Sequence, residues 1–245
     1  MTAPTQHCIA LRISTRSGSF HLKSGHWTFR SIHMKNTFIA LAFDFLNPWC
    51  WVGEKRLRQA MATTGVMLPV DYQACRSHSA AQVGMDYRTY RESRFGSQAK
   101  GHEEALSLAA AQFGISLDFS LITTVPDTER ALRLMRWQRD RGQCTQTLFE
   151  GIYHALFCEG KDISDPASLV ALLPQDTEVR HLAMNFLRSE DGIKALVEAE
   201  RETSAWCGRL TPAIQSGGTV ISGAQPSAIL ATLLKPPRSQ HLVAQ

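Results

Sequence analysis

The sequence predicts an α/β protein: a βαβ unit, a large all-helical insertion and a closing ββα unit. Three observations predict it. An apolar run from Phe38 to Phe43 leads through a turn into a basic helical pattern, Glu54-Lys55-Arg56-Leu57-Arg58. From about Ala80 to Trp206 the apolar residues recur with the period of a helix almost throughout. Beyond Trp206, strand and turn chemistry returns around Gly217-Gly218.

Taken in order, Phe38 to Phe43 reads as a central strand. Asp44 cuts the run too short for a signal peptide, and no small-residue cleavage site follows. Val66 to Tyr72 is a second apolar stretch and a candidate strand. The helical section contains His102 to Phe113, stopped by Gly114. Asp127 to Arg141 follows, with Ala131, Leu134, Met135 and Gln138 on one face and a stop at Gly142. Cys144 to Cys158 places Leu148, Ile152, Ala155 and Leu156 together. Ser164-Asp165-Pro166 is a helix start, a capping side chain followed by a proline whose missing N–H is not needed there. Val179 to Leu187 and Asp191 to Trp206 complete the insertion. Pro212 to Gln215 and Thr219 to Ser222 read as a hairpin, and Gln225 to Leu234 as the closing helix. The resulting division is an N-terminal extension over 1–35, expected to be disordered, a split α/β domain over 36–79 and 206–236, an insertion over 80–205, and a tail over 237–245.

The 245 residues are ample for a buried core, and 44% hydrophobic with 20% charged residues is ordinary globular composition. The net charge of +4 misleads. Residues 1–43 hold Arg12, Arg16, Lys23, Arg30 and Lys35 and no acid. Setting those five aside leaves 21 basic against 22 acidic residues, so the body is near neutral and gives no footprint for nucleic acid. No apolar run approaches the ~20 residues needed to span a membrane. Residues 1–33 read as foreign to the rest, either a transit-like leader or an upstream translation artefact, with Met34-Lys35-Asn36-Thr37 as a natural start in the second case. The six cysteines, Cys8, Cys50, Cys75, Cys144, Cys158 and Cys207, contain no Cys-x-x-Cys pair and no zinc-like cluster. Most are expected to be reduced and buried, in a cytoplasmic protein. His21 and His26 sit in no metal-binding pattern. Gly217-Gly218 is a turn without phosphate-loop context, and Glu103-Glu104 a solvated helix face.

The chemistry concentrates at Asp44-Phe45-Leu46-Asn47-Pro48-Trp49-Cys50-Trp51-Val52-Gly53. This segment resembles the DsbA-like thioredoxin-fold family and, within it, the FrnE-type oxidoreductases, whose motif reads Asp-x-x-Cys-Pro-Trp-Cys-Tyr-x-Gly. The resemblance covers roughly residues 36–236. It is carried also by Glu159-Gly160-Lys161-Asp162-Ile163-Ser164-Asp165 and by Thr211-Pro212 with Ser222-Gly223-Ala224-Gln225-Pro226. Those two segments are nearer the FrnE type than the related kappa-class glutathione transferases and 2-hydroxychromene-2-carboxylate isomerases. Asn47 stands where the family has its first cysteine.

In a dithiol site the first cysteine is a thiolate stabilised by the helix N-terminus, and the second resolves the mixed disulfide. Asn47 cannot be that nucleophile. Its amide is either a helix cap or a hydrogen-bonding group for a ligand. Cys50 matches the inner cysteine. It is either packed and inert or a monothiol, because burial raises a thiol pKa and a helix dipole lowers it. The resemblance implies that Thr211-Pro212 is a cis-proline turn facing the helix within a few ångströms of Cys50. It also implies that Pro48, Trp49, Thr211 and Pro212 bind the substrate. Cys207, four residues earlier, is read as core.

Three functions follow. One is an oxidoreductase-type protein with a degenerate Asn-Pro-Trp-Cys site, monothiol through Cys50 or inactive as a dithiol catalyst. Another is a glutathione-dependent isomerase or transferase. The third is a non-catalytic peptide-binding protein. The expected partners are a thiol or disulfide substrate or glutathione, with no metal, no tightly bound cofactor, no nucleic acid and no membrane. Substrate identity and oligomeric state are not legible.

Overall fold

The structure, a computed structural model, describes residues 38–77 and 82–234. The extension over 1–35, the candidate start at Met34, the His21–His26 spacing and the tail over 237–245 lie outside the described residues.

Strand β1 (Ile39–Phe43) is buried along its whole length. Helix α1 (Trp49–Thr64) follows, then β2 (Val70–Ala74). A helical run comes next: α2 (Tyr87–Phe95), α3 (Ala99–Ala111), α4 (Glu129–Asp140), α5 (Gln146–Phe157), α6 (Pro166–Val170), α7 (Thr177–Arg188) and α8 (Ile193–Cys207). The chain closes with β3 (Ala213–Ser216), β4 (Thr219–Ser222) and the short α9 (Ser227–Leu230). The sheet order is β2-β1-β3-β4, with β1 parallel to β2 and antiparallel to β3. This is the α/β fold with a helical insertion that the pattern predicts, with β1 in the interior of the sheet.

Alternation along β1 divides the interior. Ile39, Leu41 and Phe43 enter the main core, where Phe43 meets Phe45 and Phe149 edge-on at centroid distances of 5.0 and 5.2 Å. Ala42 faces the other way, into a small cluster with Cys75, Cys207 and Ala213 beside Trp206 of α8. Helix α1 is tied to β2 by a buried carboxylate. Glu54 accepts from the Tyr72 hydroxyl at 3.1 Å and from Arg58 at 2.7 Å. In the insertion, the buried Arg133 of α4 donates to the carbonyls of Phe186, Ser189 and Asp191 at 2.6–2.9 Å, satisfying acceptors that the end of α7 leaves open. Asp165 caps α6 by accepting from Ser168 N–H, with Pro166 in the first turn.

Most bounds shift by a residue or two, α2 is not separately expected from the sequence, and two differences have a visible cause. The second strand begins at Val70 rather than Val66, because Pro69 has no N–H to give a ladder and instead accepts from Ile39 N–H at 2.9 Å. The closing helix is one α-helical turn at Ser227–Leu230 that tightens into a 3₁₀ turn over Ala231–Leu234. Its buried residues are Leu230, Leu233 and Leu234.

Candidate active site

The site forms where β1 runs into α1. Asp44, wholly buried, closes this corner. Its Oδ1 accepts from Leu46 N–H at 3.0 Å, and its Oδ2 accepts from the N–H and hydroxyl of Ser77 at 2.8 and 2.7 Å. The β1–α1 turn is thereby fixed to the segment after β2.

Asn47 uses both ends of its amide. Oδ1 accepts from Trp49 N–H at 3.2 Å, which caps the first turn of α1. Nδ2 donates across the fold to the carbonyl of Thr211 at 2.7 Å and to its hydroxyl at 3.3 Å. An oxygen facing an N–H and a nitrogen facing a carbonyl fix the amide orientation. The next N–H groups are also occupied within the chain: Cys50 donates to the Asn47 carbonyl at 2.9 Å, and Trp51 to the Pro48 carbonyl at 3.1 Å.

The Thr211–Pro212 bond is cis. Its turn lies against α1 at Gly53, where a Cβ would meet the Pro212 ring carbons at 3.2 and 3.4 Å and Ala224 Cα at 3.6 Å. The Ser222-Gly223-Ala224-Gln225-Pro226 loop holds the turn from behind. Gly223 N–H donates to the Pro212 carbonyl at 2.7 Å, and Arg56 reaches from α1 to the Ala224 carbonyl.

Cys50 has no exposed surface. Burial pushes its thiol up to about 12, outweighing the Asp44 backbone and the hydroxyls of Tyr153 and Thr211 that favour the thiolate. Tyr153, from α5, seals the floor. Its hydroxyl donates to the Asp44 carbonyl at 2.8 Å and its ring stacks on Trp51 at 5.8 Å.

The six residues singled out in the sequence therefore meet at one place. Asn47 and Thr211 are hydrogen-bonded, the Thr211 side chain lies at the Cys50 sulfur, Pro48 is buried, Trp49 is half-buried, and Pro212 seats against Gly53. Asp44 and Gly53 carry roles in the motif segment that the sequence does not spell out, and Tyr153 adds a third. A glycine inside a helical pattern is the sequence signal for Gly53, whereas Tyr153 arrives from a helix 109 positions after Asp44 and gives none. Cavities of about 340 and 450 Å³ lie elsewhere, and none of these six residues lines either. Among the described residues no cluster of His, Cys, Asp or Glu is arranged to hold a metal, and no helix is long and apolar enough to cross a membrane.

Comparison with known proteins agrees with this architecture. No curated protein sequence matches the chain. Among solved structures, a probable DsbA oxidoreductase from Streptomyces coelicolor superposes with a TM-score of 0.67 at 21% identity, over 80% of this chain and 87% of that one. A 2-hydroxychromene-2-carboxylate isomerase gives 0.57 at 19%, over 80% and 93%. The cytosolic disulfide reductase DsbM of Pseudomonas aeruginosa, in complex with glutathione, gives 0.52 at 16%, over 80% and 96%. At these identities the likeness is one of fold. The DsbA-like thioredoxin domain matches residues 39–235, four-fifths of the sequence, and the chain belongs to that family.

Proposed function

We propose that this chain is an oxidoreductase-type protein of the DsbA family, FrnE-like, that does not run dithiol exchange. It holds a thiol- or disulfide-bearing ligand at the mouth of α1, with Cys50 as a protected monothiol. One observation carries the reading: the sulfur of Cys50 is fully buried beneath an Asn47 amide that is bonded to Thr211. A thiol held up to about 12 is almost wholly protonated at neutral pH, and the thiolate is the nucleophile. The helix N-terminus that would stabilise a thiolate is occupied by Asn47 instead.

Thiol titration tests this. Cys50 in the native chain should resist a maleimide at pH 7 until the protein is unfolded. Insulin reduction with dithiothreitol should not be accelerated. Asn47→Cys should supply the missing sulfur and form a 47–50 disulfide under mild oxidation. Turnover by the native chain that survives Cys50→Ala would overturn the proposal.

A second reading, a glutathione-dependent isomerase, is favoured by one feature. The Thr211–Pro212 bond is cis and its turn is seated against α1, where the family resemblance implies ligand pairing. Its signature is glutathione binding with turnover of a 2-hydroxychromene-2-carboxylate and no change in thiol count. A cytoplasmic setting accords with either reading.

A further inference from the structure

A second pair of sulfurs lies outside the site. Cys75 follows the last residue of β2, and Cys207 is the last residue of α8. They sit where the chain leaves the α/β domain for the helical insertion and where it returns. Their side chains meet in the small cluster with Ala42 and Ala213, and the Cys207 thiol donates to the Cys75 sulfur at 3.4 Å. Both are buried, at 1% and 3% exposure. The backbone on each side is held: Cys75 N–H donates to the Phe43 carbonyl at 2.8 Å, and Gly208 N–H to the Ser204 carbonyl at 3.0 Å.

Core cysteines usually stand alone against hydrocarbon. Here two sulfurs face each other across 132 positions of sequence, 3.4 Å apart against a disulfide bond of about 2.05 Å. A cavity also comes close to the pair. The Cys75 sulfur lies 3.5 Å from the Ser204 hydroxyl, and Ser204 lines the 450 Å³ cavity that also carries Arg76, Val83, Glu200 and Arg209. A small oxidant entering there is one side chain from the pair.

We propose that Cys75 and Cys207 are an oxidisable thiol pair, and that a small peroxide converts them to a disulfide that staples the neck of the helical insertion. One thiol, as its thiolate, attacks a peroxide oxygen. With hydrogen peroxide, an S–O bond forms, the O–O bond breaks, and hydroxide leaves to become water. The second thiol attacks the resulting sulfenic sulfur. The S–S bond forms, the S–O bond breaks, and the oxygen leaves as a second water. Two thiols lose two electrons and two protons, and one peroxide gains both. Burial also holds the Cys75 thiol up, to about 11, so this pair reacts slowly and is not a turnover catalyst. Nothing in the step involves Asn47 or Cys50, so its outcome is separable from the function proposed above.

The test uses the full native chain. Reduced protein is treated with hydrogen peroxide, blocked with N-ethylmaleimide in denaturant, digested without reductant and mapped by mass spectrometry. The expected result is a linked Cys75–Cys207 peptide two hydrogens lighter than the separate peptides, with maleimide labelling lost equally at both positions. Dithiothreitol should restore both labels, and Cys207→Ser should abolish the link while leaving Cys75 to accumulate higher oxides. Full labelling of Cys75 and Cys207 after the half-buried Cys158 has been oxidised would overturn the proposal. So would a Cys75 crosslink to any other cysteine.

Discussion

Replacing Asn47 separates two roles that its amide combines. Asn47→Ala removes the cap on Trp49 N–H, worth roughly 0.5–2 kcal/mol. It also removes the 2.7 Å bond to the Thr211 carbonyl, a net contribution of about 1 kcal/mol for an uncharged pair, toward the low end because Thr211 is half-buried and water reaches part of the freed acceptor. Together the loss is about 2 kcal/mol, or ~4–8 °C in Tm for a domain of this size. Asn47→Asp distinguishes the roles. It keeps an acceptor for Trp49 N–H and places negative charge at a helix N-terminus, which by itself stabilises by about 0.3–1 kcal/mol. It also sets a carboxylate oxygen against the Thr211 carbonyl. If the link to Thr211 matters, the aspartate variant should be as unstable as the alanine variant. The assay is urea unfolding at pH 7, with the midpoint shifting and the slope unchanged. An aspartate variant more stable than the native chain would refute the link and leave Asn47 as a cap alone.

Other substitutions probe the frame around the site. Gly53→Ala should destabilise by about 1 kcal/mol, because a Cβ 3.2 Å from the Pro212 ring overpacks a buried contact by more than helix propensity returns, whereas Gly101→Ala in α3, with nothing within 4 Å, should stabilise by roughly 0.5–1 kcal/mol. Thermal melts of the two read the difference, and equal shifts of the same sign would show that the α1–Pro212 approach is not tight. Arg133→Met should cost about 2–3 kcal/mol by taking the buried donor from the Ser189 and Asp191 carbonyls, while the Phe186 carbonyl keeps the Ser189 hydroxyl at 3.0 Å, with hydrogen exchange rising first near the end of α7. The Cys50 thiol, raised from 9.0 to about 12, contributes stability that is complete below pH 9 and lost as pH rises through 12. The unfolded chain releases that proton first, so stability falls by up to ~1.4 kcal/mol per pH unit over that window from this group. Cys50→Ala should flatten the alkaline limb of a stability-versus-pH profile by about that slope, and an unchanged limb would place the burial of this thiol in doubt.

What the sequence shows and what it hides differ by range. Glycine stops, the Asp165-Pro166 helix start and the Gly217-Gly218 hairpin are local, and each falls where its residues require. The Val66–Tyr72 stretch is misplaced because its apolar residues count equally as strand or as approach to a strand. Only the pairing with β1 shows that Pro69 ends the approach. The α1 mouth and the Thr211-Pro212 turn are recognisable as motifs, but the bond between Asn47 and Thr211 spans 164 positions and has no signature in either segment. The meeting of Cys75 with Cys207 is equally silent, since single cysteines at strand and helix ends read as core.

The structural consequence of an asparagine at the mouth of α1 can be followed through the contacts. Three segments converge on α1: the Asn47 corner, the Thr211-Pro212 turn and the Ser222–Pro226 loop. Gly53 permits the approach of the turn, Arg56 ties the loop, and Asn47 bonds the turn directly. The first two devices do not involve residue 47, so the fold does not depend on a sulfur there. The third does, and an amide is suited to it in a way that a thiol is not. It can accept from the helix and donate to a carbonyl at the same time, whereas a thiol is a weak donor and a weak acceptor. Asn47 therefore gives the two halves of the domain a further direct attachment.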